Sequence, residues 1–339
     1  MKFDVVVGNP PYQEDLKDTS DASIYNTFYD LSEKIAEQYI LISPARFLFN
    51  AGKTPKSWNL KMLNDVHLKV VNYVQDSSTV FANTDIKGGI AIVYRDEKRH
   101  LGPIGTFTSF NELNQIVNKV TLSSSFESIV PIIYLQEKLN LSTLVSDFPL
   151  ISNKIGSNGK EKRLTTSIFS NLPEIFSDSK LSKDDIEILG LIKNRRVHKF
   201  IKREYLEPHP NLYKWKVILP KSNGSGAIGE VLSTPVIGHP VIGHTQSFIS
   251  IGKFNSENEA NNALNYIKTK FCRTMLGVLK ITQDNNPSTW SKVPLQDFTA
   301  DSDIDWTKSI SEIDQQLYKK YDLSDEEITF IEDKVKLMD

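Results

Sequence analysis

The chain has 339 residues, 39% of them hydrophobic and 24% charged, with a formal net charge of −2 at pH 7. Such a composition describes an ordinary globular chain long enough for two domains, and no apolar run reaches the ~20 residues of a membrane-spanning helix. The lone cysteine, Cys272, excludes an internal disulfide and a cysteine-built zinc site. Asp4 interrupts the N-terminal apolar stretch and no cleavage signal follows, so that stretch does not read as a secretory leader. A cytoplasmic protein is the expectation.

The first hundred residues alternate strand and helix patterns. Strands are expected at 3–7, 39–42, 70–74 and 90–94, all rich in Val, Ile and Tyr, as strands buried on both faces tend to be. Between the first two, Tyr25, Phe28, Leu31, Ile35 and Tyr39 recur at helical spacing. This predicts an α/β domain over 1–102 built on half of a doubly wound sheet. Ligands of such sheets bind beyond the carboxyl ends of the strands. That is where the first strand runs into Asn9-Pro10-Pro11-Tyr12.

From Pro103 to Leu295 short apolar segments are separated by Ser, Asn and Gly clusters at 153–159 and 222–229, which reads as an α+β or largely β second domain. Over 296–339 two capping-box patterns appear, Ser309 with Glu312 and Ser324 with Glu327. Ile313, Leu317 and Tyr321 then mark one amphipathic helix, and Ile328, Ile331 and Val335 a second. A helical tail that packs back on the body is expected.

The tetrapeptide at 9–12 is the most specific signal in the chain. At average residue usage it arises by chance in roughly one chain of this length in a thousand. The plain alternative is a rigid Pro-Pro turn that caps a strand. With its surroundings, the motif carries a resemblance: segments 3–13, 39–50 and 80–94 look like consecutive blocks of gamma-type adenine-specific (N6) DNA methyltransferases, more narrowly those of type IIG restriction–modification enzymes. Segments 216–221, 245–251 and 261–278 resemble that family's target-recognition domain, and 290–298 and 313–331 its terminal helices.

The resemblance implies a Rossmann-like methyltransferase sheet, present in part, then a target-recognition domain over 103–295. It also implies transfer of a methyl group from S-adenosylmethionine to an adenine swung out of double-stranded DNA, without a metal. Asn9, Pro10, Pro11 and Tyr12 match the catalytic motif. The amine of adenine is a poor nucleophile because its lone pair is delocalised into the ring. The side-chain oxygen of Asn9 and the carbonyl of Pro10, each held extended by the proline that follows, would accept its two N–H groups from a preorganised position. Tyr12 would stack on the base, a contact worth roughly 1–3 kcal/mol. Phe81 falls where the family places a second stacking aromatic, although a core role before a strand is equally open. Pro44 and Arg46 fall in a block of structural character.

The family's cofactor-binding strands and Gly-rich loop precede this motif, so no complete cofactor site is expected in the chain. Gly224, Gly226 and Gly229 formally satisfy G-x-G-x-x-G. However, Pro235 and Pro240 break any helix that such a loop must open, and no acidic residue follows at the interval required. The segment therefore reads as a loop. Without the missing strands, the strand at 3–7 is expected to be an exposed edge that recruits a second copy or a chain carrying the cofactor half. A subunit of a split enzyme and a non-catalytic DNA-binding remnant are the alternative readings of the whole.

Charge is segregated despite the small net value. Between 193 and 221 nine cations (193, 195, 196, 199, 202, 203, 214, 216 and 221) face two acids, Glu204 and Glu207, with Tyr205, Tyr213 and Trp215 interleaved. Between 297 and 339 thirteen acids face five lysines. Lys193, Arg195, Arg196, Lys199, Lys202 and Arg203 are thus candidates for phosphate contact, the tail lying away from DNA; a solvated face is the alternative. His239 and His244, five residues apart, fall on opposite faces of an extended strand, so a shared metal is not expected.

Overall fold

The computed structural model describes residues 3–14, 22–50, 52–81, 86, 88–224, 227–280 and 283–338. It divides into two compact units, 1–118 and 119–339.

In the first unit, β1 (Phe3–Gly8) leads to the short pair β2 (Gln13–Glu14) and β3 (Ala22–Ser23), then α1 (Tyr25–Ile35), β4 (Ala36–Pro44), α2 (Lys56–Asn64), β5 (Leu68–Val74) and β6 (Ile90–Asp96). Each of the four expected strands is present and somewhat longer than its pattern. Their order is β1-β4-β6-β5. β1 and β4 run parallel, whereas β6 is antiparallel to both β4 and β5. β1, β4 and β5 therefore point one way, with β6 inserted against them, and the sheet is mixed.

One face of this sheet holds Tyr39 and Leu41 of β4, Ala91 and Val93 of β6, and Leu68 of β5, packed with Tyr25 and Tyr29 of α1 and Trp58, Met62 and Leu63 of α2. Alternate positions along β1 stay open: Phe3 is 66% exposed and Val7 72%. The expectation of strands buried on both faces thus fails for β1: Val6 packs against this core, while Phe3, Val5 and Val7 stay exposed. The helical pattern also needs correcting. α1 ends at Ile35, because Ala36 already joins β4, and it buries Tyr25, Tyr29 and Ser32 while Leu31 remains exposed. The spacing from Tyr25 to Tyr39 runs a helical period across a helix–strand junction.

α3 (Asn111–Thr121) carries the division between the units. The second unit continues with β7 (Ile133–Tyr134), α4 (Leu141–Asp147), the short turns α5 (Gly156–Gly159) and α6 (Ile168–Asn171), β8 (Phe176–Ser177), β9 (Ile186–Ile192), β10 (Arg195–Ile201), β11 (Trp215–Pro220), β12 (Val236–Gly238), β13 (Ile242–His244) and β14 (Phe248–Phe254). Then come α7 (Glu257–Lys268), α8 (Lys270–Gly277), α9 (Ile310–Lys320) and α10 (Asp325–Lys334). Two four-stranded sheets form, β13-β9-β10-β8 and β12-β11-β14-β7.

Both expected capping boxes are present, Ser309 with Glu312 opening α9 and Ser324 with Glu327 opening α10. The tail packs back through a carboxylate. Asp314 of α9 is buried, and its two oxygens accept the N–H groups of Lys270 and Phe271 at 2.9 and 2.8 Å, at the start of α8. There it meets both unpaired helix donors and the positive end of the helix dipole. Tyr321 stacks on Phe271 with ring centroids 4.9 Å apart.

β13 is held by a second buried device. One edge pairs with β9. On the other edge the Ile242 carbonyl accepts the Lys216 ammonium at 2.8 Å, and the His244 N–H donates to the Glu137 carboxylate at 2.6 Å. Two ionic side chains thus stand where a neighbouring strand would. Gly243 has no room for a side chain, since a Cβ there would lie 2.4 Å from the Glu137 carboxyl carbon. Lys216 therefore leaves the list of surface cations: it is fully buried.

Two measurements test these contacts. Burial pushes the Asp314 carboxyl up to about 6, against roughly 3.9 in an unfolded chain. A raised carboxyl contributes stability that is fully present below the unfolded value and lost as pH rises through the folded one. The wild type should therefore lose about 2 kcal/mol relative to Asp314→Asn between pH 4 and pH 7, read by urea unfolding at both pH values; equal pH dependence in the two proteins refutes the assignment. For the second device, Glu137→Gln or Lys216→Met alone should cost about 3–5 kcal/mol by stranding the other group. The double variant should cost clearly less than the sum of the singles in the same assay.

Candidate active site

Because β1, β4 and β5 are codirectional, their carboxyl ends share one edge of the first sheet. The last β1–β4 pair is Gly8 with Leu41, so Asn9-Pro10-Pro11-Tyr12 begins where pairing stops. Ile90, which opens β6, pairs with both Pro44 and Val74 at the same edge. The segments that follow the three strands, 9–12, 45–49 and 75–81, therefore converge.

Pro10 is buried, and Asn9 and Pro11 flank it exposed. Beyond the motif the chain is tied down again. The Tyr12 carbonyl accepts the Ile24 N–H at 3.3 Å, and Gln13 pairs with Ser23. Tyr12 is half-buried. Its hydroxyl is enclosed without a well-formed hydrogen bond, although the Asn9 side chain lies close enough to offset part of the upward push that burial gives its pKa.

Phe81 is brought to Tyr12. Their ring centroids lie 6.4 Å apart at 66°, an edge-to-face contact. The loop that presents Phe81 is built by Asp76, whose carboxylate accepts from the Ser78 N–H at 3.0 Å, and by Ser77, whose hydroxyl accepts from the Ile86 N–H at 2.8 Å. Gly89 closes it at φ +73°, and a Cβ there would fall 2.4 Å from the Val74 carbonyl oxygen. Residues 82–85 and 87, which belong to the 80–94 block, lie outside the described residues.

Two groups beside the motif carry no sequence signal. Ser23 Oγ and Asn26 Oδ1 are both buried without a well-formed hydrogen bond among the described residues, Ser23 opposite Gln13 with the Tyr25 hydroxyl close by, and Asn26 in the first turn of α1. Buried oxygens left unsatisfied cost about 1–3 kcal/mol each. Pro44 and Arg46 take the structural place expected of them. Pro44 ends β4, and the Arg46 stem lies against Gly52 and Gly88, where a Cβ would come within 3.0 and 2.9 Å of it.

The basic cluster lies in the second unit, on and around β10. Its members are mostly engaged. Arg196 donates to the Thr234 carbonyl at 2.6 Å and sits over the Phe248 ring, and Lys199 pairs with Asp178. Lys202 lies 3.7 Å from Glu204 and over Tyr205. Arg203 donates to the Tyr213 hydroxyl at 2.7 Å and the Leu206 carbonyl at 2.8 Å. Lys193 and Arg195 are exposed and have no ion-pair partner among the described residues.

Of the segment 224–229, residues 225 and 226 lie outside the described residues. What is described opens no helix: Ala227 to Glu230 make a turn, and the next element is β12. His244 is buried, its pKa pushed down to about 3 by desolvation, and its Nε2 lies 3.1 Å from Ser250 Oγ. His239 is exposed and lies 3.2 Å from the Glu187 carboxylate. Among the described residues no group of three or more His, Cys, Asp or Glu is placed to hold a metal ion, and no helix is long and apolar enough to cross a membrane.

Comparison with known proteins places the best-matched segment at this site. Residues 1–81 match the model of the Eco57I restriction-modification methylase family. An adenine-specific methylase of Mycoplasma pneumoniae, itself described as uncharacterized, is 33% identical over 95 residues, covering 26% of this chain and 22% of that protein. Two solved structures align over 98% of the chain: the type IIG restriction endonuclease BpuSI (11% identity, TM-score 0.33, 54% of its chain) and the type IIL restriction-modification enzyme MmeI in complex with DNA (8%, 0.36, 56%). The chain thus spans about a fifth of the length of that methylase and just over half of each solved chain.

Proposed function

We propose that this chain is the catalytic-motif and target-recognition portion of a site-specific DNA adenine N6-methyltransferase of a restriction–modification system. The observation that carries the reading is the site at 9–12. A strand end, two prolines and an anchored tyrosine present the Asn9 amide and the Pro10 carbonyl at the carboxyl edge of the sheet, within the segment that matches the methylase family.

The roles follow from the residues. Asn9 Oδ1 and the Pro10 carbonyl accept the two protons of the target amine and concentrate its lone pair toward the methyl donor. Tyr12 and Phe81 offer aromatic surface to the extruded base. Their edge-to-face contact leaves no gap between them as they stand, so a base would lie against one ring face or displace Phe81. The recognition portion contacts double-stranded DNA through the cluster on and around β10. The sheet of the first unit is read as part of a larger, doubly wound one.

S-adenosylmethionine is the methyl donor that the reading implies. The described residues show no fit to it: what is described of the segment that satisfies the Gly-rich pattern opens no helix. A segment or a second polypeptide carrying the cofactor half therefore belongs to the active enzyme, and the chain alone is inactive in this reading. A DNA-binding remnant without activity is the alternative that the same test decides.

Two experiments check the proposal. The chain is expressed in a host free of adenine methylation, alone and with its neighbouring reading frames, and the host DNA is sequenced for N6-methyladenine. Methylation at one motif is expected only in the combined expression, falling at least about a hundredfold with Asn9→Ala. No methylation in either arm, or methylation indifferent to Asn9, removes the assignment. In parallel, calorimetric titration of the purified chain with S-adenosylmethionine should give no binding at micromolar concentration; tight binding would require a cofactor site among residues for which no such role is proposed here.

A further inference from the structure

β9 and β10 form a hairpin whose outer half has no strand beside it; Leu191, Ile192 and Val197 still pack on the core, so that residues 193–195 alone project. They pair continuously from Ile186↔Ile201 to Ile192↔Arg195. On one side β13 pairs only with Glu187, Ile188 and Leu189. On the other, β8 pairs only with Phe200 and Ile201. Between residues 190 and 199 the hairpin is therefore a two-stranded ribbon with no neighbouring strand among the described residues. Its base is anchored, since Gly190 packs so closely under Phe169 that a Cβ would fall 2.4 Å from the ring.

The tip has an unusual composition. Lys193 and Asn194 form the two-residue connection at φ +49° and +59°, as in a type I′ turn. Asn suits this conformation and Gly suits it best, whereas a lysine there is uncommon. Lys193, Asn194 and Arg195 are all exposed. Lys193 and Arg195 are also the two members of the candidate cluster that no carboxylate, carbonyl or ring engages among the described residues. The other four are held in internal contacts.

We propose that the tip of this ribbon, Lys193, Asn194 and Arg195, enters a groove of double-stranded DNA and reads base edges, so that Asn194 and Arg195 set part of the recognition sequence. The inference rests on the reading of the second unit as a DNA-recognition portion. The major groove admits a two-stranded β-ribbon. A guanidinium can pair with guanine and an asparagine amide with adenine through two hydrogen bonds each, while the lysine suits phosphate. The engaged cations below the tip orient the ribbon and contact phosphate at most.

The test selects bound DNA from a randomised duplex pool with the full chain, and compares wild type with Asn194→Gly, Arg195→Gln and, as a control within the engaged set, Lys202→Gln. Asn194→Gly and Arg195→Gln keep the turn, and thermal melting verifies the fold of each. Wild type should enrich a motif, and each tip variant should relax the preference at one or two base pairs by roughly five- to a hundredfold while the remaining positions persist; the control should leave the motif unchanged. Uniform weakening by the tip variants with an unaltered motif makes the tip a phosphate contact and overturns the proposal, as does no change at all. If the wild type retains no duplex above background, both this proposal and DNA binding by the chain fail. A motif that persists in every variant defeats the tip alone.

Discussion

Two consecutive prolines fix the geometry on which the candidate site depends. Neither has an N–H to give to a sheet, and each restrains the residue before it to an extended conformation. Pairing between β1 and β4 accordingly stops at Gly8. The chain cannot turn back as a helix, and the Asn9 side chain and Pro10 carbonyl are left beyond the strand with little freedom. The Tyr12–Ile24 main-chain bond and the Gln13–Ser23 pair then fix the far end. In the proposed reading, an acceptor pair held from both sides would lose little entropy when a substrate arrives, which is how preorganised polar groups favour a reaction.

The same strand has an unresolved side. β1 stands at the edge of its sheet, with Phe3, Val5 and Val7 exposed. Protected edge strands are usually short, charged or bulged; β1 has six residues, one charge, and a regular register with β4. The apolar content of β1 exceeds what its own unit buries. In the proposed reading that imbalance is met by the segment or partner chain that would carry the cofactor half beside β1.

Much of this architecture was legible in the sequence. Val-, Ile- and Tyr-rich runs located all four strands of the first sheet, and Ser–x–x–Glu located the start of both tail helices, because a capping box names its own hydrogen bonds. Strand direction was not legible: composition that marks β6 as buried does not say that it runs against β4. Nor was the buried face of α1, since Leu31 and Tyr29 both fit an apolar stripe and only the sheet beneath decides between them. Ser23 and Asn26 had no pattern to reveal them. The turn-off at 9–12 was readable because backbone restraint is something proline writes directly into the sequence.

The basic segment demonstrates the limit of counting charge. Nine cations in a short stretch resemble a continuous phosphate-binding face, but the structure spends them differently. Lys216 is buried where it satisfies a β13 carbonyl, and Arg196 and Arg203 donate to backbone carbonyls. A surface cation contributes to long-range attraction wherever it lies, so in the proposed reading the cluster would still steer DNA. Discrimination between bases needs donors with free hydrogen-bonding capacity on an element that fits a groove. Internal partners remove that capacity from β10 residue by residue until it remains at the turn. Specificity, on this argument, is a property of what the fold leaves unsatisfied rather than of how much charge the segment carries.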